Sequence, residues 1–322
     1  MRVLTAIDSD AIAGLRSRHE FFWLDLSQPT SDDIDELQKL FSLHPLAVDD
    51  LVERDQRPKL DDYGDYLLMV FYGARDDGEG RPALVEVELL LHGDYIVTCH
   101  QQPCVELADV HRELEERPPS SEQFVIYRVL DTLTDTFFPV LSTIDDAIDD
   151  LESDVVSQPT DEQLRRIFGL KRGLVVMRKV ITPQRDMFAR AGEDIIKIAG
   201  LEPDTRDYFR DVYDHLIRIS DLIDSYRDLL TGAMDVYLST VSNRLNAIMK
   251  QLTVIATIFL PLSFVTGFFG QNFGWMVRHV HSLAAFLVLG VGGLALSGAV
   301  LYAFFRRAGF LAGAASPPGP RR

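Results

Sequence analysis

From Asp204 to Leu260 the sequence holds no proline and a single glycine, Gly232. As one continuous helix this stretch would reach roughly 85 Å at about 1.5 Å per residue. A chain of 322 residues builds no single domain that could enclose such an element, so the helix is expected to lie along a partner. Val212, Leu216, Ile219, Ile223, Tyr226, Leu230, Ala233 and Tyr237 recur at alternating intervals of four and three, the period of a helix packed along another helix. The preceding helices of the same chain would satisfy that pattern. Repeated copies around an axis are the expectation once the next segment is added.

That segment is apolar. Leu252 to Phe269 carries no charged residue and as a helix is about 27 Å long, close to the ~30 Å of a bilayer's hydrocarbon. Leu283 to Phe305 is a second uncharged run, long enough to span with some tilt. Two transmembrane helices, 252–269 and 283–305, are therefore expected, joined by a loop at 270–282. Arg244 and Lys250 precede the first and Arg306 and Arg307 follow the second, while the loop holds Arg278 and two histidines. The positive-inside rule places both termini in the cytoplasm and the loop outside. The N-terminus lacks an apolar core of signal-peptide length, so the soluble part is expected to stay inside.

Two helices cannot enclose a water-filled path; either they anchor a soluble domain or several copies assemble a pore. Asn246, Met249, Thr253, Ala256, Leu260, Ser263, Gly267 and Gly270 follow one another at intervals of three and four and so share one face. Small and polar residues dominate it, with Ile255, Ile258, Phe259, Phe264, Val265 and Phe268 on other faces. Small residues also pack transmembrane interfaces, which accounts for Ala256 and Gly267 but less naturally for Asn246 and Ser263. A pore lining is the favoured reading. Without a carboxylate the stripe suits an ion that keeps much of its water, as magnesium does, and Met249 and Leu252 sit where apolar rings could close a pore by dewetting. Pro261 removes one backbone hydrogen bond; a simple kink and a carbonyl freed toward the pore both remain open.

Residues 1–120 read as mixed α/β. FFWLDL, YLLMVFYGA and ALVEVELLLHGDYIVTC are strand-like, the last as two strands joined at His92-Gly93-Asp94. Ser31 is expected to cap a helix through DDIDELQKLF. After Pro118-Pro119 the pattern turns helical, with a break at Ser157-Gln158-Pro159 and an antiparallel partner beyond it. The tip carries Asp145, Asp146, Asp149, Asp150, Glu152 and Asp154, either a solvated face or a cation-facing one. A formal net charge of −17 argues against nucleic acid and suits a protein that meets cations. Cys99 and Cys104 form neither a disulfide framework nor a zinc site. No phosphate-binding G-K-[ST] loop, nucleophile elbow or H-E-x-x-H is present, so no enzyme is expected.

The stretch YRDLLTGAMDVYLSTVSNRLNAIMKQLTVIATIFLPLSFVTGFFGQNF resembles the stalk and first transmembrane helix of the CorA magnesium transporters, ending in Gly270-Gln271-Asn272 where that family has Gly-x-Asn. HPLAVDDLVERDQRPKLDDYGDYLLMV and YFRDVYDHLIRISD are similar to its cytoplasmic parts, in the same order. The resemblance implies a homopentamer in the plasma (inner) membrane. Each chain would have an α/β domain (1–120), an acidic helical hairpin packed on the stalk (121–200), a long stalk helix (201–251), the two-helix hairpin (252–305) and a basic tail (306–322). It implies a selectivity filter at Gly270, Gln271 and Asn272. By the same matching Asn246, Met249, Leu252, Leu260 and Ser263 line the pore, and the shared stripe adds Thr253, Ala256 and Gly267 to the expected pore lining and gate. A regulatory cation would bind between subunits at Asp211, with Asp77 as partner. No resident cofactor is implied; Mg2+ or another divalent cation is substrate and regulatory ligand, and the partners are that cation, further copies of the chain and the bilayer.

Two departures bear on the choice of metal. Gln271 replaces the family's usual methionine, and Arg278, His279 and His281 stand where its loop is usually acidic. The related ZntB-like zinc transporters also vary that middle residue, and the two histidines would serve either as ligands for a softer metal or as polar surface. Magnesium and cobalt uptake is the expected function and zinc transport its alternative. A membrane-tethered cation-sensing scaffold without a pore is the reading from another class.

Overall fold

Runs rich in Leu, Val, Ile and aromatic residues set a six-stranded sheet: β1 (Arg2–Leu4), β2 (Phe22–Ser27), β3 (Lys59–Asp62), β4 (Leu67–Asp76), β5 (Pro82–His92) and β6 (Tyr95–His100). The strand order is β1-β2-β6-β5-β4-β3. β1, β2 and β6 run parallel, and β6, β5, β4 and β3 are successively antiparallel. The structure is a computed structural model that describes residues 1–77, 82–117, 119, 122–157, 159–191, 206–271, 273–279 and 281–307. β2 is buried along nearly its whole length, as a strand covered on both faces must be. The edge strands β1 and β3 escaped the sequence reading, because one has three residues and the other reads Lys-Leu-Asp-Asp, with no apolar alternation.

On one face lie α1 (Ser9–Ser17), α2 (Ser31–Phe41) and α3 (Pro45–Val52), whose Ile12, Leu37, Phe41 and Leu51 join Leu24, Leu68 and Tyr95 in one core. The cap of α2 is Thr30 rather than Ser31. Thr30 is extended and its hydroxyl accepts from Asp33 N, while the Asp33 carboxylate accepts from Thr30 N at 2.7 Å, a complete capping box. Ser31 is already helical.

The opposite face carries helices α5–α7, entered through α4 (Val105–Glu116). The expected single helix before Ser157 is two: α5 (Glu122–Asp135) and α6 (Phe137–Ser157). Thr136, between them, turns its hydroxyl onto β4, where it accepts from Ala74 N at 2.8 Å. Gly73 permits that approach, since a Cβ there would stand 2.9 Å from Thr136 Oγ1. Pro139 is tolerated in the first turn of α6, where its missing N–H has no helical partner. α7 (Asp161–Ala191) returns antiparallel to α6, and its Gln184 Oε1 accepts from Tyr72 N at 2.7 Å.

α8 runs unbroken from Arg206 to Phe269, through Pro261. Two compact units divide the chain, Met1–Tyr237 and Leu238–Arg322. Within the first, the eight-residue seam from Val212 to Tyr237 is buried, no member more than 9% exposed. This corrects the expectation that neighbouring copies cover it: the cover is the chain's own α5–α7. Arg185 Nη1 donates to Ser220 Oγ at 3.2 Å, Arg178 pairs with Asp224 at 2.6 Å, and the Arg218 guanidinium lies 5.3 Å from the Phe138 ring centre. The seam's five aliphatic side chains contribute roughly 1.5–3 kcal/mol each when buried, so the first part of the helix is held against its own chain.

In the second unit two helices hold an 18-residue stretch apolar enough to cross a membrane, with mean hydropathies of 1.7 and 2.2. The second span is not uniform. After α10 (Leu283–Ala285) a π-helical turn, Phe286–Val291, precedes α11 (Gly292–Arg307). The expected loop contains a short helix, α9 (Gly274–His279), in which the His279 ring stacks on Trp275 and its Nδ1 meets Trp275 O at 2.9 Å.

Candidate functional site

The first candidate surface is one face of α8. Asn246, Met249, Thr253, Ala256, Leu260, Ser263, Gly267 and Gly270 are all exposed, Leu260 to 77%, and so is neighbouring Leu252. The half-covered positions are instead Val254, Ile258, Pro261, Leu262 and Val265. On the second span the half-covered positions include Gly290, Gly293, Leu294, Ser297, Gly298 and Leu301. Pro261 is half-covered, and Thr257, whose carbonyl it deprives of a donor, lies about 80° around the helix from the centre of the stripe. The freed carbonyl therefore flanks the stripe.

Hydroxyl geometry adds a chemical detail. Thr253 Oγ1 donates to Met249 O at 2.8 Å, and Thr257 Oγ1 to Thr253 O at 2.8 Å. With its proton committed to the backbone, the Thr253 hydroxyl turns lone pairs outward and offers a cation an oxygen acceptor. At the end of α8, Gly270 N donates to Thr266 O at 2.9 Å and Gln271 N to Phe268 O at 3.3 Å, with Gln271 exposed. Asn272 lies outside the described residues.

The same spacing extends upstream, which the sequence reading missed. Asp214, Arg218, Asp221, Ser225, Asp228, Gly232 and Asp235 are exposed and alternate at intervals of four and three. Ser239 and Ser242 carry the alternation on to Asn246. A carboxylate thus recurs every seven residues, an interval that drifts only about 20° around a straight helix.

The second candidate is a ligand cluster on α5 and α8. One ligand atom each from Asp131, Asp135 and His215 lies within 4.8 Å of the others. His215 Nδ1 is 3.2 Å from Asp135 Oδ1 and 3.4 Å from Asp131 Oδ1. Asp131 Oδ1 and His215 Nδ1 are buried without a hydrogen-bond partner, an arrangement that a cation would satisfy. Burial first, and then the Asp135 charge, push the Asp131 carboxyl above the usual carboxylate range. Asp211 lies one turn before His215 and accepts from Tyr127 Oη at 2.8 Å, while Tyr127 lies one turn before Asp131. The expected regulatory residue therefore borders a site the sequence did not disclose. Asp77 is exposed just past β4. His279 and His281 join no metal-ligand cluster among the described residues.

A sheet-based domain, one helix continuing into a candidate membrane span and a second candidate span fit a membrane transport protein. Its family is equally plain: residues 18–307 match the model of the CorA-like Mg2+ transporter protein family, and the chain belongs to it. It is a divalent-cation transporter. It is 33% identical over 285 residues to the cobalt/magnesium transport protein CorA of Thermotoga maritima, covering 85% of this chain and 80% of that one. It is 26% identical over 299 residues to the zinc transport protein ZntB of Yersinia enterocolitica, covering 89% of each. The complete structure of the CorA magnesium transporter from Methanocaldococcus jannaschii superposes with a TM-score of 0.79, over 90% of this chain and 91% of that one at 21% identity. That likeness establishes the fold.

Proposed function

We propose that the chain is one subunit of a homopentameric channel for magnesium, and also cobalt, in the plasma (inner) membrane, with both termini in the cytoplasm. One observation carries the reading: from Asn246 to Gly270 a stripe of α8 left exposed by its own chain holds an amide, two hydroxyls and two glycines beside Met249, Ala256 and Leu260, and upstream of it exposed carboxylates recur at the same spacing from Asp214 to Asp235. Copies of that face around an axis give a wet path, acidic toward the cytoplasm and neutral in the membrane. Met249 and Leu252 form the gate, Leu260 narrows the path, and Gly270, Gln271 and Asn272 select a hydrated ion at the outer end. An inside-negative potential drives entry, about 4.6 kcal/mol per 100 mV for a divalent ion.

Gating follows from cation binding in the cytoplasmic part. Asp211 and the Asp131–Asp135–His215 cluster hold cations that offset carboxylate repulsion, with Asp77 of a neighbouring subunit completing the Asp211 site. Cations that bind the closed state better stabilise it, and their loss as internal metal falls opens the path. A second reading, zinc transport, is favoured by the imidazole in this cluster, since Mg2+ prefers oxygen ligands alone. The experiment is flux into liposomes with magnesium, cobalt, nickel and zinc in competition, across a set pH gradient. Saturable magnesium uptake that Asn272→Ala abolishes is expected. Unchanged uptake in that variant removes the assigned filter, and zinc-selective, proton-dependent uptake replaces the first reading with the second.

A further inference from the structure

Away from the ion path, the segment 53–58, β4, β5 and α7 enclose a cavity of about 1250 Å³, larger than most small-molecule sites. The groups on its floor differ in how they are engaged. Glu86 is satisfied, its carboxylate accepting from Asp55 N at 2.8 Å and Gln56 N at 2.9 Å. Tyr72 Oη donates to Gln56 O at 2.5 Å. Glu88 is only 7% exposed and forms no ion pair among the described residues. Burial, with the Glu86 charge beside it, pushes its pKa up to about 8. At neutral pH most copies therefore carry the proton, and the carboxyl presents a donor and an acceptor side by side.

Four basic side chains, Arg54, Arg57, Arg178 and Lys179, line the cavity in a chain whose net charge is −17. Arg178 is paired with Asp224 at 2.6 Å. Arg54, Arg57 and Lys179 line the cavity and form no ion pair among the described residues, although Glu53 and Asp55 share the rim. Leu84, Val175 and Val180 give the cavity an apolar wall. Unpaired guanidinium and ammonium groups suit phosphate oxygens. The apolar wall suits a flat ring, and a protonated carboxyl matches the paired donor and acceptor on the edge of a nucleobase.

We propose that this cavity binds a nucleoside phosphate, with its phosphates at Arg54, Arg57 and Lys179 and its base against the apolar wall and Glu88. The site is independent of the ion path, and its failure leaves the transport reading untouched. The test is calorimetric titration of the purified full-length protein with ATP, adenosine and pyrophosphate, all in excess EDTA so that no divalent ion contributes heat. ATP is expected to bind, with adenosine and pyrophosphate each at least about tenfold weaker. Arg57→Glu combined with Lys179→Glu should weaken ATP binding by at least about tenfold. Val175→Trp, a change at an exposed position of α7, should do the same by filling the cavity without altering charge. No heat with ATP, or undiminished binding in both variants, overturns the proposal. Pyrophosphate binding as tightly as ATP overturns the nucleoside part and leaves an anion site.

Discussion

Replacing Asp135 by Asn, or His215 by Ala, tests whether the cluster on α5 and α8 is a cation site. A ligand that binds only the folded protein stabilises it by RT ln(1 + [L]/Kd), about 2.7 kcal/mol at a hundredfold excess over Kd. For a unit the size of Met1–Tyr237, each kcal/mol raises the unfolding midpoint by roughly 2–4 °C, so a shift of about 5–10 °C is expected. Asp131 adds an internal control. Its carboxyl is buried, and although Arg128 Nη1 donates to its Oδ2 at 3.3 Å, its Oδ1 has no hydrogen-bond partner, so one of its two oxygens is desolvated without return in the unliganded protein. Asp131→Asn should unfold in EDTA at a midpoint no lower than the parent and then gain little from metal. The assay is thermal unfolding of the detergent-solubilised full chain, followed by emission from Trp23, which is fully buried in the sheet. Cobalt should shift the parent by the full amount and each cluster variant by less than half of it, while Asn272→Ala keeps the whole shift. Equal shifts in parent and cluster variants would refute the assignment.

Other outcomes follow from single features. Asp228→Asn combined with Asp235→Asn should slow cation uptake into liposomes several-fold at low ionic strength and little at high salt, because exposed carboxylates act through a screened field. Gly73→Ala, whose added Cβ meets Thr136 Oγ1 at 2.9 Å and Leu133 O at 3.3 Å, should destabilise the first unit by about 1–3 kcal/mol in denaturant titrations. Glu88 has a pKa raised from 4.5 to about 8, so the stability it contributes is complete below its unfolded value and is lost as pH climbs through about 8. Glu88→Gln should flatten the decline in unfolding midpoint between pH 6 and 9.

Legibility in the sequence followed locality. The membrane spans and α8 could be read because composition over a window decides them, and the turn at His92-Gly93-Asp94 because its residues have few other uses. The partner of the Val212–Tyr237 seam could not be read, since the spacing is identical whether a helix packs on its own chain or on a copy. The split at Thr136 depends on a hydroxyl meeting a strand through Gly73, more than sixty residues away. The Asp131–Asp135–His215 cluster was hidden for the same reason, its members eighty residues apart and joined only when α8 docks on α5. The heptad of aspartates was visible throughout but was masked by the apolar seam on the opposite side of the same helix.

That one helix carries both an inward seam and an outward stripe makes its length a constraint as strict as its composition. A single residue inserted between Tyr237 and Asn246 would turn everything downstream by about 100°, taking Thr253 and Ser263 out of phase with aspartates that stay where the seam holds them. An insertion of seven would restore the phase to within about 20°. Chain-length variation at this boundary is therefore expected in whole heptads, whatever residues fill them.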